Sequence, residues 1–358
     1  MPDASDASDA SPSDASTSDA SDAGCPVGAI CDGAYNYAFV TSTDYAVTEL
    51  GGVQGADAKC NERAKAAGLP GEYVAWLSSS TSNARDRLGT ASGWLRTDRR
   101  PFAASADELF EAKIRYPLAV DELGATVPSS VRYARTGTLQ DGTVSADKHC
   151  ANWSPDSGGA VETGDPFAGN RRWTTLAAGS CQARTPIYCL GKDHATPLPP
   201  RPVTGRRAFA SSAHYAPNGL AQADAICQGE AAGVLTGAFK ALLATTTASA
   251  ISRFSTAGAT WVRPDGVVLW ETAAQAAANA PLLAPPVLHA DQTPSGFAWR
   301  WLGAPRIDVV GTTTCADWES SGASVQALAV QSTAAGTLSA AYAFNCDTGQ
   351  IGLICLEE

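Results

Sequence analysis

Two stretches of this chain carry the same succession of apolar and polar positions. Each opens on a short apolar run that ends in small polar residues, Tyr37 to Ser42 in one and Arg207 to Ser212 in the other, with Phe39 and Phe209 in matching places. A short strand is predicted there. A helix is predicted next: Ala56, Cys60, Ala64 and Ala67 recur at helical spacing, and Gly68 and Pro70 then supply the stop. The second copy repeats the phrase around Ala223 and Cys227 and closes at Gly233. Small residues along that face suit a helix lying close against a sheet. Strands are then expected at Tyr73–Leu77 and Trp94–Asp98, and in the second copy at Ala238–Leu242 and from Trp261.

From about Arg99 to Lys148, and from Val267 to Thr314, regularity fades and Pro, Gly and Asp punctuate the chain. Long irregular middles of this kind carry the variable function of a domain more often than its frame does. Each copy then reaches a cysteine followed by a tryptophan, Cys150 with Trp153 and Cys315 with Trp318, and ends in an apolar run holding Cys189 or Cys355. Core packing beside a disulfide is the expected role of both tryptophans.

The cysteines make the duplication quantitative. Cys60, Cys150, Cys181 and Cys189 are separated by 90, 31 and 8 positions, and Cys227, Cys315, Cys346 and Cys355 by 88, 31 and 9. A period of this size is a whole domain, since solenoid repeats run roughly 20 to 50 residues. The boundaries expected are an acidic tether over 1–24, a small cysteine loop over 25–34, a first domain over 35–192, a proline-rich linker over 193–205 and a second domain over 206–358. An even count of cysteines with no Cys-x-x-Cys pair favours disulfides made in an oxidising compartment. Four cysteines allow three pairings. Their placement in helix, loop and terminal strand points to Cys60 with Cys189, Cys150 with Cys181, Cys227 with Cys355 and Cys315 with Cys346. Cys25 and Cys31 are left to close a loop of their own.

Charge narrows the field of partners. The net charge is −11, and the Asp-Ala-Ser repeats of residues 1–24 hold six Asp with no Lys, Arg or aromatic residue. Nothing in that segment can pack into a core. What remains is mildly acidic without a basic block, so neither nucleic acid nor an anionic membrane is an expected partner. No apolar run reaches transmembrane length, and the N-terminus lacks the features of a signal peptide. An export signal removed ahead of this sequence, a lipoprotein signal among the options, would reconcile that with the disulfides. Met1 would then be an added or misplaced start, and the location extracellular or at the cell surface, with a lipid anchor upstream.

The nested cysteine order, the helix phrase ending in Cys60 and the terminal segment from Ser180 to Cys189 together resemble the C-type lectin-like superfamily. Within it, the chain is most similar to the endostatin-like branch of bacterial surface lipoproteins. The resemblance covers both repeats. It implies an α+β fold of two tandem disulfide-stapled domains, each a mixed antiparallel sheet with flanking helices and a long loop region pinned by the inner disulfide, and it supports the pairing above. It does not transfer a ligand. Calcium-dependent sugar binding in the superfamily uses a Glu-Pro-Asn or Gln-Pro-Asp triplet and a Trp-Asn-Asp before the third cysteine. Here Trp173-Thr174-Thr175 and Ala343-Phe344-Asn345 stand in the latter place, without the oxygen set that calcium prefers.

The remaining candidates are few. Asn152, Asp156, Glu162 and Asp165 could form a different oxygen cluster for calcium, against the plain reading of a solvated acidic loop. No other cofactor is expected. Trp299 and Trp301 alternate about Arg300, which would put both rings on one strand face to stack on a sugar or clasp a partner, unless they simply pack in a half-buried sheet. The four histidines are scattered, and Ser145 with Lys148 matches Ser-x-x-Lys without its companions. The functional expectation is a non-catalytic adhesion protein that binds an extracellular protein or glycan, with avidity from two linked sites. A structural envelope component is the alternative. An oxidase of the sulfatase-modifying type shares the fold but needs a reactive cysteine, whereas each cysteine of the repeat has a positional twin.

Overall fold

The computed structural model describes residues 24–131, 133–154, 159–296 and 298–358. The tether expected over 1–24 lies outside these, apart from Gly24. The protein is mixed α/β, with several small sheets, few helices and disulfides among the described residues.

In the first half the strand Asn36–Val40 pairs antiparallel with Tyr188–Gly191 and parallel with Trp94–Arg96. Tyr73–Ala75 extends the sheet on one side and Pro101–Ala103 on the other. The twofold period of a strand sends alternate residues to opposite faces. Ala38, Val40, Trp94, Tyr188 and Leu190 join a tryptophan-rich core with Trp76 and Trp173, while Phe39, Tyr73, Ala75 and Cys189 face the helix Gly52–Ala66. Both faces are covered, so Tyr37 to Val40 read as an apolar run, and the buried Asn36 before them spends its amide on the Ser92 and His194 carbonyls. The second half has the same order about Arg206–Ala210: Ile354–Glu357 antiparallel, Phe239–Ala241 beyond it, and Trp261–Val262 parallel on the other side.

The helices Gly52–Ala66 and Leu220–Ala231 bury Ala56, Cys60 and Ala64, and Ala223, Cys227 and Ala231, at fourfold spacing. Methyl- and thiol-sized side chains let each helix axis approach the sheet closely, and one cysteine near the middle of each helix bolts it there by sulfur. Cys60 is bonded to Cys189 and Cys227 to Cys355. In each helix an aspartate reaches the neighbouring edge strand. Asp57 accepts from the Ala75 amide (2.8 Å) and pairs with Arg87, and Asp224 accepts from the Ala241 amide (2.9 Å) and pairs with Arg253.

A smaller sheet follows in each half, formed by Ala134–Arg135, Ala160–Gly164 and Ala177–Ser180, and by Trp299–Trp301, Gln326–Gln331 and Ala340–Asn345. The inner disulfides Cys150 to Cys181 and Cys315 to Cys346 close over these sheets, and Cys25 is joined to Cys31. The long middles hold little regular structure. Aspartates satisfy their turns: Asp121 accepts from the Leu123 and Ala125 amides, and Asp141 and Asp291 each accept from the amide and hydroxyl of a threonine two residues on.

The halves pack on one another. Tyr116 is buried among Val262, Val267, Val268 and Ala284, and its hydroxyl accepts from the Val268 amide at 3.1 Å. Arg263, also buried, donates to the Ile114 carbonyl at 3.0 Å, and Arg100 pairs with Glu271. Backbone bonds join Gly169 to Thr333 and Ala335 to Phe167. The proline-rich stretch is tied down along its length: Leu198 is buried with Ile30, Leu95 and Ala104, and the Val203 amide donates to Gly266.

Candidate functional site

The register of the second half's small sheet decides where its aromatic residues go. Gln326–Gln331 is the central strand, with Trp301 opposite Ala329 opposite Tyr342, and Ala327 opposite Phe344. Directly paired residues share a face, so the rings of both outer strands converge over the two central alanines, which leave room for them. Trp301 is fully buried, donating its indole N–H to the Tyr215 carbonyl (3.0 Å) and packing edge-on to Trp318. Trp299 is half-buried. Its ring meets Tyr342 at 5.2 Å and Phe344 at 5.3 Å, both edge to face. Tyr342 is 60% exposed. An aromatic row thus leads from the core out to water.

The first half shows what the fold requires at these places. Matching backbone bonds, Arg135 N–H to Pro186 and Trp301 N–H to Gly352, then Gly137 to Glu162 and Gly303 to Leu328, set the correspondence. Tyr133 stands for Trp299, Arg135 for Trp301, Ala177 for Tyr342 and Gly179 for Phe344. The same sheet forms with alanine and glycine on its outer strand, so the Tyr342 and Phe344 rings are not needed to build it. The polar groups around the row are amides. Gln331 lies opposite Trp299, and exposed Gln326 donates to Asn345 at 2.9 Å. A surface of ring faces and edges bordered by neutral hydrogen-bonding groups suits a neutral ligand with C–H faces and hydroxyls.

The acidic loop of the first half is arranged differently. The Asn152 amide oxygen accepts from the Ser80 N–H at 2.7 Å. Glu162 is buried and accepts from the Ser145 hydroxyl and the Lys148 ammonium, both at 3.1 Å. Asp165 accepts from the Phe167 amide. Asp156 lies outside the described residues. Among the described residues no group of three or more His, Cys, Asp or Glu is placed to hold a metal ion.

Asn152 belongs to a feature the sequence did not announce. Cys150, Ala151, Asn152 and Trp153 all have positive φ, between 46° and 63°, and so do Cys315, Ala316, Asp317 and Trp318, between 53° and 72°. Each is one left-handed turn. The indole N–H groups of Trp153 and Trp318 donate to the Ser78 and Ala244 carbonyls, and Asp317, like Asn152, accepts a backbone amide, from Thr246 at 2.7 Å.

A buried arginine lies on the first strand of each small sheet, Arg135 in one and Arg300 in the other. Burial holds the Arg135 and Arg300 guanidinium groups down at about 10. Arg135 donates to the Thr185 hydroxyl and the Ala183 carbonyl, and its Nη1 has no hydrogen-bond partner. Of the aromatic row, Trp299 and Trp301 stand out in the sequence by their alternation. Tyr342 and Phe344 alternate in the same way just before Cys346, but that signal is read only once the strands are in register.

No protein-family model matches the chain, and no curated protein matches it either.

Proposed function

We propose that the protein is a non-catalytic, extracellular or cell-surface binding protein, built as two tandem lectin-like units of the endostatin-like kind, in which the second unit recognises a neutral glycan. The observation that carries this reading is the aromatic row Trp299, Tyr342 and Phe344, whose outer-strand rings have only Ala177 and Gly179 as counterparts in the first half. An exposed tyrosine edge-on to a half-buried tryptophan costs solvation and repays it when a sugar's C–H face covers the rings. The ten cysteines are all joined in pairs, and an oxidase working through sulfur needs a free thiol. Five disulfides fit an oxidising setting. No described helix is long and apolar enough to cross a membrane.

A glycan array tests the reading. The full chain should bind a set of neutral glycans equally with and without chelator. Tyr342→Ala and Trp299→Ala should each weaken that binding by about 10-fold, in keeping with the loss of an aromatic hot spot. Undiminished binding by the double variant would remove the row from the site. Self-association without glycan binding would favour the envelope component instead.

A further inference from the structure

Between the halves lies a cleft of about 540 Å³, within the size range of small-molecule sites, which is roughly 300 to 1,000 Å³. Its walls come from the irregular middles of both halves and from the proline-rich stretch between them. Gly266 (φ 81°) allows that stretch to close over the second half: a Cβ there would stand 2.5 Å from Pro202, and the Gly266 carbonyl receives the Val203 amide. The rings of Pro200, Pro202, Pro264 and Pro294 give the lining its apolar part.

Most of the lining charge is already balanced. Arg115 makes a two-pronged pair with Glu108 at 2.8 and 3.0 Å, and Arg263 is paired with Asp265. Lys113 is held by Glu111 at the exposed rim. Arg207 is the exception. It sits on the central strand Arg206–Ala210, and its guanidinium donates to the Arg263 carbonyl at 3.3 Å. Among the described residues it has no ion pair with a carboxylate. The Glu357 carboxylate takes the Arg207 backbone amide at 2.6 Å and not its guanidinium, so in a chain of net charge −11 the guanidinium is placed to receive an anion at the wall of the cleft.

We propose that this cleft binds a small hydroxylated carboxylate of the sugar-acid type, with Arg207 taking the carboxylate. Asn170 and Gln292 line the same cleft, and their amides suit hydroxyls, which both donate and accept. The proline rings suit the C–H faces. The planar fork of one guanidinium matches the two oxygens of one carboxylate. The proposal stands whether or not the aromatic row binds a glycan, since it rests on different residues.

Calorimetric titration of the full chain with D-galacturonate, its neutral counterpart D-galactose, acetate and inorganic phosphate tests it. Galacturonate should bind with a Kd on the order of 0.1 to 10 mM, and the other three at least about 10-fold more weakly. Arg207→Gln should weaken galacturonate by about 10-fold or more, with Arg207→Lys between, because an ammonium keeps the charge but not the fork. Should Arg207→Gln fail to fold, Pro200→Trp at the exposed rim serves in its place by filling the cleft. Three results would overturn the proposal: no galacturonate binding up to about 50 mM, equal binding of galactose or phosphate, or affinity unchanged in the folded variants.

Discussion

Arg135 and Trp301 occupy the same place in the two halves, and only one of them is at home there. A guanidinium out of water must trade its hydration for hydrogen bonds, and Arg135 makes that trade incompletely, with Nη1 unbonded. Its folded-state pKa of about 10 lies below the ordinary 12.5. The folded state therefore disfavours the charge, and the penalty is present in full at neutral pH. Arg135→Met should raise the unfolding free energy by about 1 kcal/mol, the burial penalty outweighing two lost hydrogen bonds. Urea unfolding at pH 7 measures it; a lower midpoint would show that the bonds to Thr185 and Ala183 matter more. Nothing in the run Tyr133-Ala134-Arg135 reads as buried, because burial here is set by chain about 50 residues away.

The left-handed turns belong to the scale of elements. Four successive L-residues at positive φ cost roughly 1 to 2 kcal/mol each relative to the right-handed form, and such geometry persists only where its surroundings impose it. Here the inner disulfide, the indole bond and the Asn152 or Asp317 side chain hold each end. Ala151 and Ala316 are the exposed links, at φ 46° and 55°. Ala151→Gly and Ala316→Gly should each stabilise the protein by about 0.5 to 1 kcal/mol, since glycine bears no cost at that φ and the loss of helix preference is irrelevant there. Thermal unfolding of the single variants checks this, and a drop in Tm for both would mean the turn is not strained. The duplicated cysteine, alanine and tryptophan are legible in the sequence; their handedness is not, for no glycine marks it.

At the scale of the molecule, carboxylates secure the junction of the halves. Burial pushes Asp98 and Asp265 up, but Arg96 and Arg100 beside the first, and Arg263 beside the second, hold both below the ordinary 3.8. Those arginines in turn reach across: Arg100 to Glu271, Arg263 to Ile114. A depressed carboxylate contributes stability that is whole above its unfolded pKa and is lost as pH falls through the folded one. Urea midpoints should therefore be flat down to about pH 4 as far as these groups decide, then fall. Asp265→Asn should cost about 3 kcal/mol at pH 7 by leaving Arg263 buried without its counter-charge, and should make the acid slope shallower. An unchanged slope would take Asp265 out of the account.

The duplication, the central strands at Asn36–Val40 and Arg206–Ala210 and the small-residue faces of the two helices are determined by the sequence alone, because periodicity and spacing are local quantities. The junction was not legible there: Tyr116, Arg263 and Arg100 follow no repeat, and each acquires its role from a residue between 149 and 171 positions distant. The aromatic row, the cleft and the left-handed turns are likewise products of tertiary structure. Register places Trp301 in the core and Tyr342 in water, and a side chain's pattern names its face but not what the rest of the chain lays over it.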